Sequence, residues 1–358
     1  MSTSVIADPS PTRPRDRTTS DYAQLLRTVQ EHGLLGRRLR YYWIKGSVLL
    51  LGLAATWVGF FLLGHHWAQL GVAAGLAVVL TQIVFLSHDA AHQQIFRSRN
   101  ANDLAALVMG TGIGGVSLSW WNNKHSKHHA APNHIGKDSD ISPSVVHFYP
   151  AETPPRSRLA VFLHEHQGWW FFPLLVVEML NLHAQSVIAL LTRRDLRRRK
   201  AETALLSARL VGYPAAVFVV LPVGMAAAFL GVQLAISGLY LGSAFAASHI
   251  GMPVVPADSR IDFLRRQVLL SRNISGGGVA SLAMGGLNYQ IEHHLFPNMP
   301  RPNLHRVRPI VQRFCAAREI PYQKMTITRA WATVAGYLNR VGLAGRDPFQ
   351  CPVVASLR

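Results

Sequence analysis

Three clusters of histidine stand out in the chain: His88-Asp89-Ala90-Ala91-His92, His125-Ser126-Lys127-His128-His129 and Gln290-Ile291-Glu292-His293-His294. Imidazole binds redox-active metals at neutral pH while staying uncharged. Seven such rings at these spacings exceed what one ion needs, so the sequence reads as a two-metal site. On a helix, residues three or four apart share a face. His88 with His92, and His125 with His128 and His129, can therefore each deliver ligands from one rigid element.

The elements that must hold these rings follow from charge and apolarity. Of 358 residues, 49% are hydrophobic and 15% charged, with 36 Lys and Arg against 18 Asp and Glu. The basic residues avoid the apolar blocks, which points to a bilayer and away from nucleic acid. No Lys or Arg occurs between Lys45 and Arg97 or between Arg209 and Arg260. Each gap holds two spans of about 20 residues. The reading is an all-α integral membrane protein with four transmembrane helices in two hairpins. The spans run over about 46–63, 68–86, 211–229 and 232–248, with turns at Gly64-His65-His66-Trp67 and near Gly231. Both turns lack positive charge, whereas the other hydrophilic stretches are rich in it. The positive-inside rule then puts both termini and all three clusters on the cytoplasmic face.

Leu104–Leu118 is too short to span comfortably and is expected to be interfacial or re-entrant. Trp169–Leu191 is long enough, but a crossing there would place the basic run Arg193–Lys200 outside, so it is expected to lie along or dip into the membrane. Residues 1–30 are expected to be a disordered cytoplasmic segment with no apolar signal region, 31–315 the membrane domain, and 316–358 a cytoplasmic tail. Cys315 and Cys351 alone exclude a disulfide framework, a four-cysteine zinc site and a self-contained iron–sulfur centre. Isolated histidines such as His32, His65, His66, His147, His164, His166 and His305 read as structural or solvent-exposed. His183 can line the site or face lipid headgroups, and His134 has no clear role. Gly110-Thr111-Gly112-Ile113-Gly114-Gly115 fits a dinucleotide fingerprint but lacks the strand–helix context, and reads as close packing.

These strings resemble the membrane-bound fatty acid desaturases with their three histidine boxes. The likeness extends to Trp120-Trp121-Asn122-Asn123-Lys124, to Gly136-Lys137-Asp138-Ser139-Asp140-Ile141 and to the run from Gly285 to Pro297, and covers roughly residues 40–315. Gln290 in place of the first histidine of the third box is similar to the front-end, linoleoyl-CoA-desaturase-like branch. The resemblance implies a di-iron centre that uses dioxygen to insert a cis double bond into an acyl chain. The implied iron ligands are His88, His92, His125, His128, His129, His293 and His294, with His249 as an eighth and Gln290 as a weak or water-mediated ligand. Asp89, Asp138, Asp140 and Glu292 are candidates to hold imidazole tautomers, because a ligating histidine usually donates its other N–H to an acceptor, with capping of a turn an equal alternative for Asp138 and Asp140.

The substrate expected from the resemblance is a fatty acyl-CoA or acyl-lipid. The chain has no flavin or nicotinamide fold, no cysteine set for a cluster and no His-Pro-Gly-Gly haem motif, so a separate ferredoxin, cytochrome or oxidoreductase is expected to supply two electrons. The Arg193–Lys200 run suits anionic lipid headgroups or coenzyme A phosphates. Arg in excess of Lys and abundant Ala suggest a bacterial cell membrane. Alternative readings are a di-iron lipid or alkane hydroxylase or ketolase and, from another class, a membrane haem or metal-transport protein.

Overall fold

The computed structural model describes residues 20–150 and 157–344. Helix α1 (Asp21–Glu31) leads into α2 (Leu39–Leu63) and α3 (Gln69–Ala91), the first hairpin. Its turn closes because the buried Gln69 amide donates to the carbonyls of Phe60 (2.6 Å) and Gly64 (2.9 Å) at the end of α2, where the helix has no N–H of its own to offer. Helix α3 runs on past the expected end to Ala91, so His88 sits in its last turn.

Next come α4 (Arg99–Ala106), a π-helical stretch over Leu107–Ile113, and α5 (Leu118–Ala130), with a 111° bend between the two limbs. This is the segment expected to be interfacial or re-entrant. The glycine string makes the bend possible. A Cβ on Gly110 would meet Ser87 Oγ at 2.6 Å, and one on Gly114 would meet Val84 Cγ2 at 2.8 Å, so only bare backbone lets the bend press on α3.

Helices α6 (Arg158–Glu165), α7 (Gln167–Leu174) and α8 (Glu178–Thr192) follow. Pro173 removes a backbone donor inside α7, and the ladder tightens to a 3₁₀ turn over Leu175–Val177 before α8 resumes. Helix α9 (Arg199–Ser207) passes through a π-turn at Ala208–Gly212 into α10 (Tyr213–Val220). Helix α11 then runs unbroken over Val223–His249.

The second helical break is therefore at Leu221-Pro222 and not near Gly231. Pro222 cannot extend α10 and forces Leu221 to φ −107°, ψ 148°, whereas Gly231 is an ordinary helical residue inside α11. Among the described residues, five helical stretches, one more than expected, are long and apolar enough to cross a membrane: 39–63, 69–91, 167–192, 199–220 and 223–249.

The remaining elements are α12 (Phe263–Leu269), strand β1 (Asn273–Ser275), α13 (Gly277–Ala283), α14 (Gln290–Leu295), α15 (Arg301–Ala316), strand β2 (Lys324–Thr326), parallel to β1, and α16 (Ile327–Ala344). Expected disorder over residues 1–19 lies outside the described residues, but α1 is ordered by burial: Leu25 and Val29 pack with Ile291, Leu295, Val307 and Val311, and Tyr22 Oη donates to Leu295 O (3.0 Å). The segment after Cys315, expected as a cytoplasmic tail, packs onto other helices as far as Ala344. Val334 and Leu338 of α16 are buried against Phe171, Leu175 and Ala246.

A Cβ on Gly342 would lie 2.0 Å from His164 O, so α16 and α6 touch backbone to backbone. Replacing Gly342 with Leu is expected to destabilise the fold by about 1–3 kcal/mol through overpacking. A thermal unfolding midpoint equal to the wild type in detergent would count against this packing.

Candidate metal centre

Four elements bring the expected ligands to one place. His88 and His92 close α3, His125, His128 and His129 occupy the last turns of α5, His249 ends α11, and Gln290, His293 and His294 lie on α14. The chain can end α3 so sharply because Gln93 takes a left-handed φ of 60°. The rings sort into two groups: His88, His92, His125, His129 and His293 in one, and His128, His249 and His294 in the other, with the ligand nitrogens of each group within 4.8 Å of one another.

Hydrogen bonding cannot account for the first group. His125 Nε2 lies 3.2 Å from His88 Nε2, 2.9 Å from His92 Nε2 and 3.0 Å from His129 Nε2. One ring nitrogen carries at most one proton and can satisfy one neighbour, so the remaining lone pairs face each other. The buried His293 Nε2 and His294 Nε2 have no hydrogen-bond partner. Converging lone pairs and orphaned nitrogens fit a cation between them. Burial, then the neighbouring imidazoles, hold His293 and His294 well below the usual imidazole range, which keeps them neutral at pH 7.

In the second group His128 Nε2 lies 3.4 Å from His249 Nε2, and the Gln290 amide nitrogen lies 2.9 Å from that same nitrogen. The Gln290 oxygen is buried without a partner, and a half-turn of the amide exchanges the two atoms. Gln290 thus offers a neutral oxygen where the group has only three imidazoles.

The residues expected to orient the rings divide. Asp138 meets a ring and also caps the turn Ser139–Ile141: its Oδ2 accepts from His128 Nδ1 (2.9 Å) and Asn133 N (2.8 Å), and its Oδ1 from Asp140 N (2.9 Å). Asp140 Oδ2 lies 3.3 Å from His128 Nδ1 and its other oxygen pairs with Lys124. Asp89 is 3.8 Å from His88 Nδ1, and its nearer partner is Arg301, with Nε 2.7 Å away. Glu292 is a correction. Its carboxylate accepts from Asn273 Nδ2 (2.7 Å) and Tyr322 Oη (2.6 Å) and holds no imidazole, because it leaves the short α14 on a different side from the adjacent His293 and His294.

Sequence reasoning missed two other acceptors: Gln267 Oε1, 3.0 Å from His294 Nδ1, and Leu270 O, 3.2 Å from His249 Nδ1. No spacing signal marks either. The Gln267 amide nitrogen also donates to His129 O (2.9 Å), so one side chain ties α12 to both later boxes. His134 and His183 belong to neither ring group. His134 Nδ1 lies 3.0 Å from Ile135 O, and His183 Nε2 lies 3.3 Å from Gly114 O, at the bend before α5.

A cavity of about 1120 Å³ opens beside the rings, lined by His88, His125, His128 and His249 at one side and by Leu118, Trp121, Leu175, Leu241 and Phe245. Lys124, Lys127, Glu178 and Arg193 also border it. This is at or above the size of most small-molecule sites and mainly apolar, with ionic groups at part of its wall.

The family model described as fatty acid desaturase matches residues 65–326, a stretch that contains all three histidine clusters. The chain belongs to the fatty acid desaturase family. Among its relatives, an acyl-lipid (9-3)-desaturase of Physcomitrium patens is 30% identical over 78% of the chain. The Delta(5) fatty acid desaturase fat-4 of Caenorhabditis elegans is 30% identical over 80%, and a Delta(8)-fatty-acid desaturase of Helianthus annuus is 25% identical over 91%. The matched stretch spans 54%, 67% and 74% of these three desaturases respectively.

Proposed function

We propose that this chain is a membrane fatty acyl desaturase that inserts a cis double bond into an acyl chain. The observation that carries the reading is the pair of adjacent imidazole groups, five rings and three, facing a large apolar cavity. Two iron ions are the proposed occupants, held by His88, His92, His125, His129 and His293 on one side and by His128, His249 and His294, with Gln290 alongside, on the other. When bound, iron supplies dioxygen activation and removal of hydrogen from an unactivated methylene pair.

The protein's part is positioning and exclusion. Leu118, Trp121, Leu241 and Phe245 present an apolar wall along which a hydrocarbon chain can lie next to the rings while water is kept away. Asp138 holds His128 by its Nδ1, and Leu270 O and Gln267 do the same for His249 and His294, so each ring presents Nε2 inward. Lys124, Lys127 and Arg193 at the cavity wall suit the phosphate or carboxyl-derived head of an acyl-CoA or acyl-lipid. The basic excess of the loops supports an orientation with the rings on the cytoplasmic side and an acidic, external electron donor. Turnover should then fall as ionic strength rises, and a rate indifferent to salt would count against an acidic donor.

The direct test is expression in a host that makes no polyunsaturated fatty acids, followed by fatty-acid profiling with double-bond localisation. A new unsaturated acyl chain is expected. A hydroxylated or ketone product in its place, or a Soret band in the purified protein, would overturn the reading.

A further inference from the structure

Helix α5 carries three of the proposed ligands, yet the chain enters it through a bend that includes Gly114 and Gly115, the latter at φ 77°. Glycine gives such a joint no direction of its own, and although Thr111 Oγ1 ties the bend to itself by donating to Val116 O (2.9 Å) and accepting from Leu118 N (3.1 Å), those bonds hold only the first residue of the helix that follows. From Ser117 to His129 is about 18 Å of helix, so a 10° error at the first turn would move the last histidine by about 3 Å. A metal–nitrogen bond is about 2 Å long, and sites tolerate misplacements of only about 0.5 Å. Something outside α5 must set its angle.

The side chain placed to do so is Glu202 of α9. It is 1% exposed. Its Oε2 accepts from Ser117 Oγ at 2.5 Å, its Oε1 accepts from Ser119 N at 3.1 Å, and Ser119 Oγ also donates to it. Ser117 is the residue that caps α5, accepting from Trp120 N, and its own N–H donates to Ser186 Oγ of α8 at 2.9 Å. On the other side of the bend Arg209 Nε donates to Ile113 O at 2.7 Å. Among the described residues no ion pair joins Glu202 to a cation.

A buried carboxylate without a counter-cation is costly. Here it is met by three donors and by the positive end of a helix dipole. Those contacts grip the start of α5 at two points, one per oxygen, and so fix both its tilt and its rotation. We propose that Glu202 is a positioning residue for the metal centre: it aims α5 so that His125 and His129 reach one imidazole group and His128 the other. The inference rests on the metal-centre reading above.

The test uses cobalt(II) as a spectroscopic probe on the purified, metal-stripped full chain in detergent. The wild type is expected to bind two cobalt ions with d–d absorption. Glu202→Ala should lower cobalt affinity about tenfold or more, the range for residues that orient ligands. The comparison is Leu206→Ala, which removes a buried side chain from the same helix α9 without touching Ser117 or Ser119. At an equal loss of thermal stability it should keep wild-type cobalt affinity and spectrum.

Wild-type cobalt binding by Glu202→Ala, or an equal loss in Leu206→Ala, would overturn the proposal. Should Glu202→Ala not fold, Glu202→Gln carries the same comparison, since it keeps the reach and replaces one acceptor oxygen with a donor. A smaller loss is expected there, and unchanged affinity would again overturn it. A wild-type chain that takes up no cobalt would sink the metal-centre reading and this inference with it, before any substitution is made.

Discussion

Replacing His125 with Ala is expected to abolish desaturation, with product formation down by at least about 100-fold and metal content reduced by one ion or more. The reason is its central place. Its Nε2 lies within 3.2 Å of three other ring nitrogens, those of His88, His92 and His129, and its ring stacks on Trp121 at 4.2 Å and 24°. Removing it takes away a ligand and the side chain that spaces the others. His32→Ala is the matched comparison. That ring is exposed and bonds only to Thr28 O of its own helix, so activity and metal content should be unchanged. Metal analysis and fatty-acid profiling of the two variants decide the matter, and a His125→Ala protein that still makes product would remove the proposed centre.

The ring-bearing residues were legible because ligand chemistry leaves a local trace. Helical spacing announces His88 with His92 and His125 with His128 and His129; the first two fall in one ring group, whereas the three on α5 divide, His125 and His129 joining one group and His128 the other. His249 could be placed only through the family resemblance and its location at a span end, yet it falls in the three-ring group. What spacing could not give is how eight rings divide five and three, since that depends on the angles between α3, α5, α11 and α14. Residues that hold the rings were read less well. Asp138 lies near its histidine in sequence, whereas Gln267 and the carbonyl of Leu270 reach theirs from α12 and its end.

The helices show the same division. The first hairpin was readable because a glycine and polar residues interrupt its apolar run. The second was misplaced because Leu221-Pro222 and Gly231 both lie inside one uncharged block, and a break there is set by the missing N–H of proline and not by polarity. Helix α1 escaped notice for a different reason. Its neighbours in sequence are polar, and the apolar partners that order it, Ile291 and Val307 among them, come from the far end of the chain.

Distant partners also govern the largest stability effect expected. Asp89, inside the first box, and Arg301, just after the third, form an ion pair of 2.7 Å in which both side chains are 3% exposed. Arg301 also donates to Phe85 O (2.8 Å), and its backbone N–H donates to Tyr42 Oη (3.0 Å), so one residue ties α15 to both helices of the first hairpin. Gly286, at φ 83°, leaves the room: a Cβ there would lie 2.5 Å from Arg301 Cγ. Arg301→Met strands a buried carboxylate next to His88 and is expected to cost about 3–5 kcal/mol, as is Asp89→Leu, which strands the guanidinium. Making both changes together should cost clearly less than the sum, because neither charge is then left alone. Thermal unfolding of the four proteins in one detergent measures the coupling. Strict additivity would mean that the pair does not join the first box to the third, and that the spacing of His88 and His293 is set by apolar packing alone.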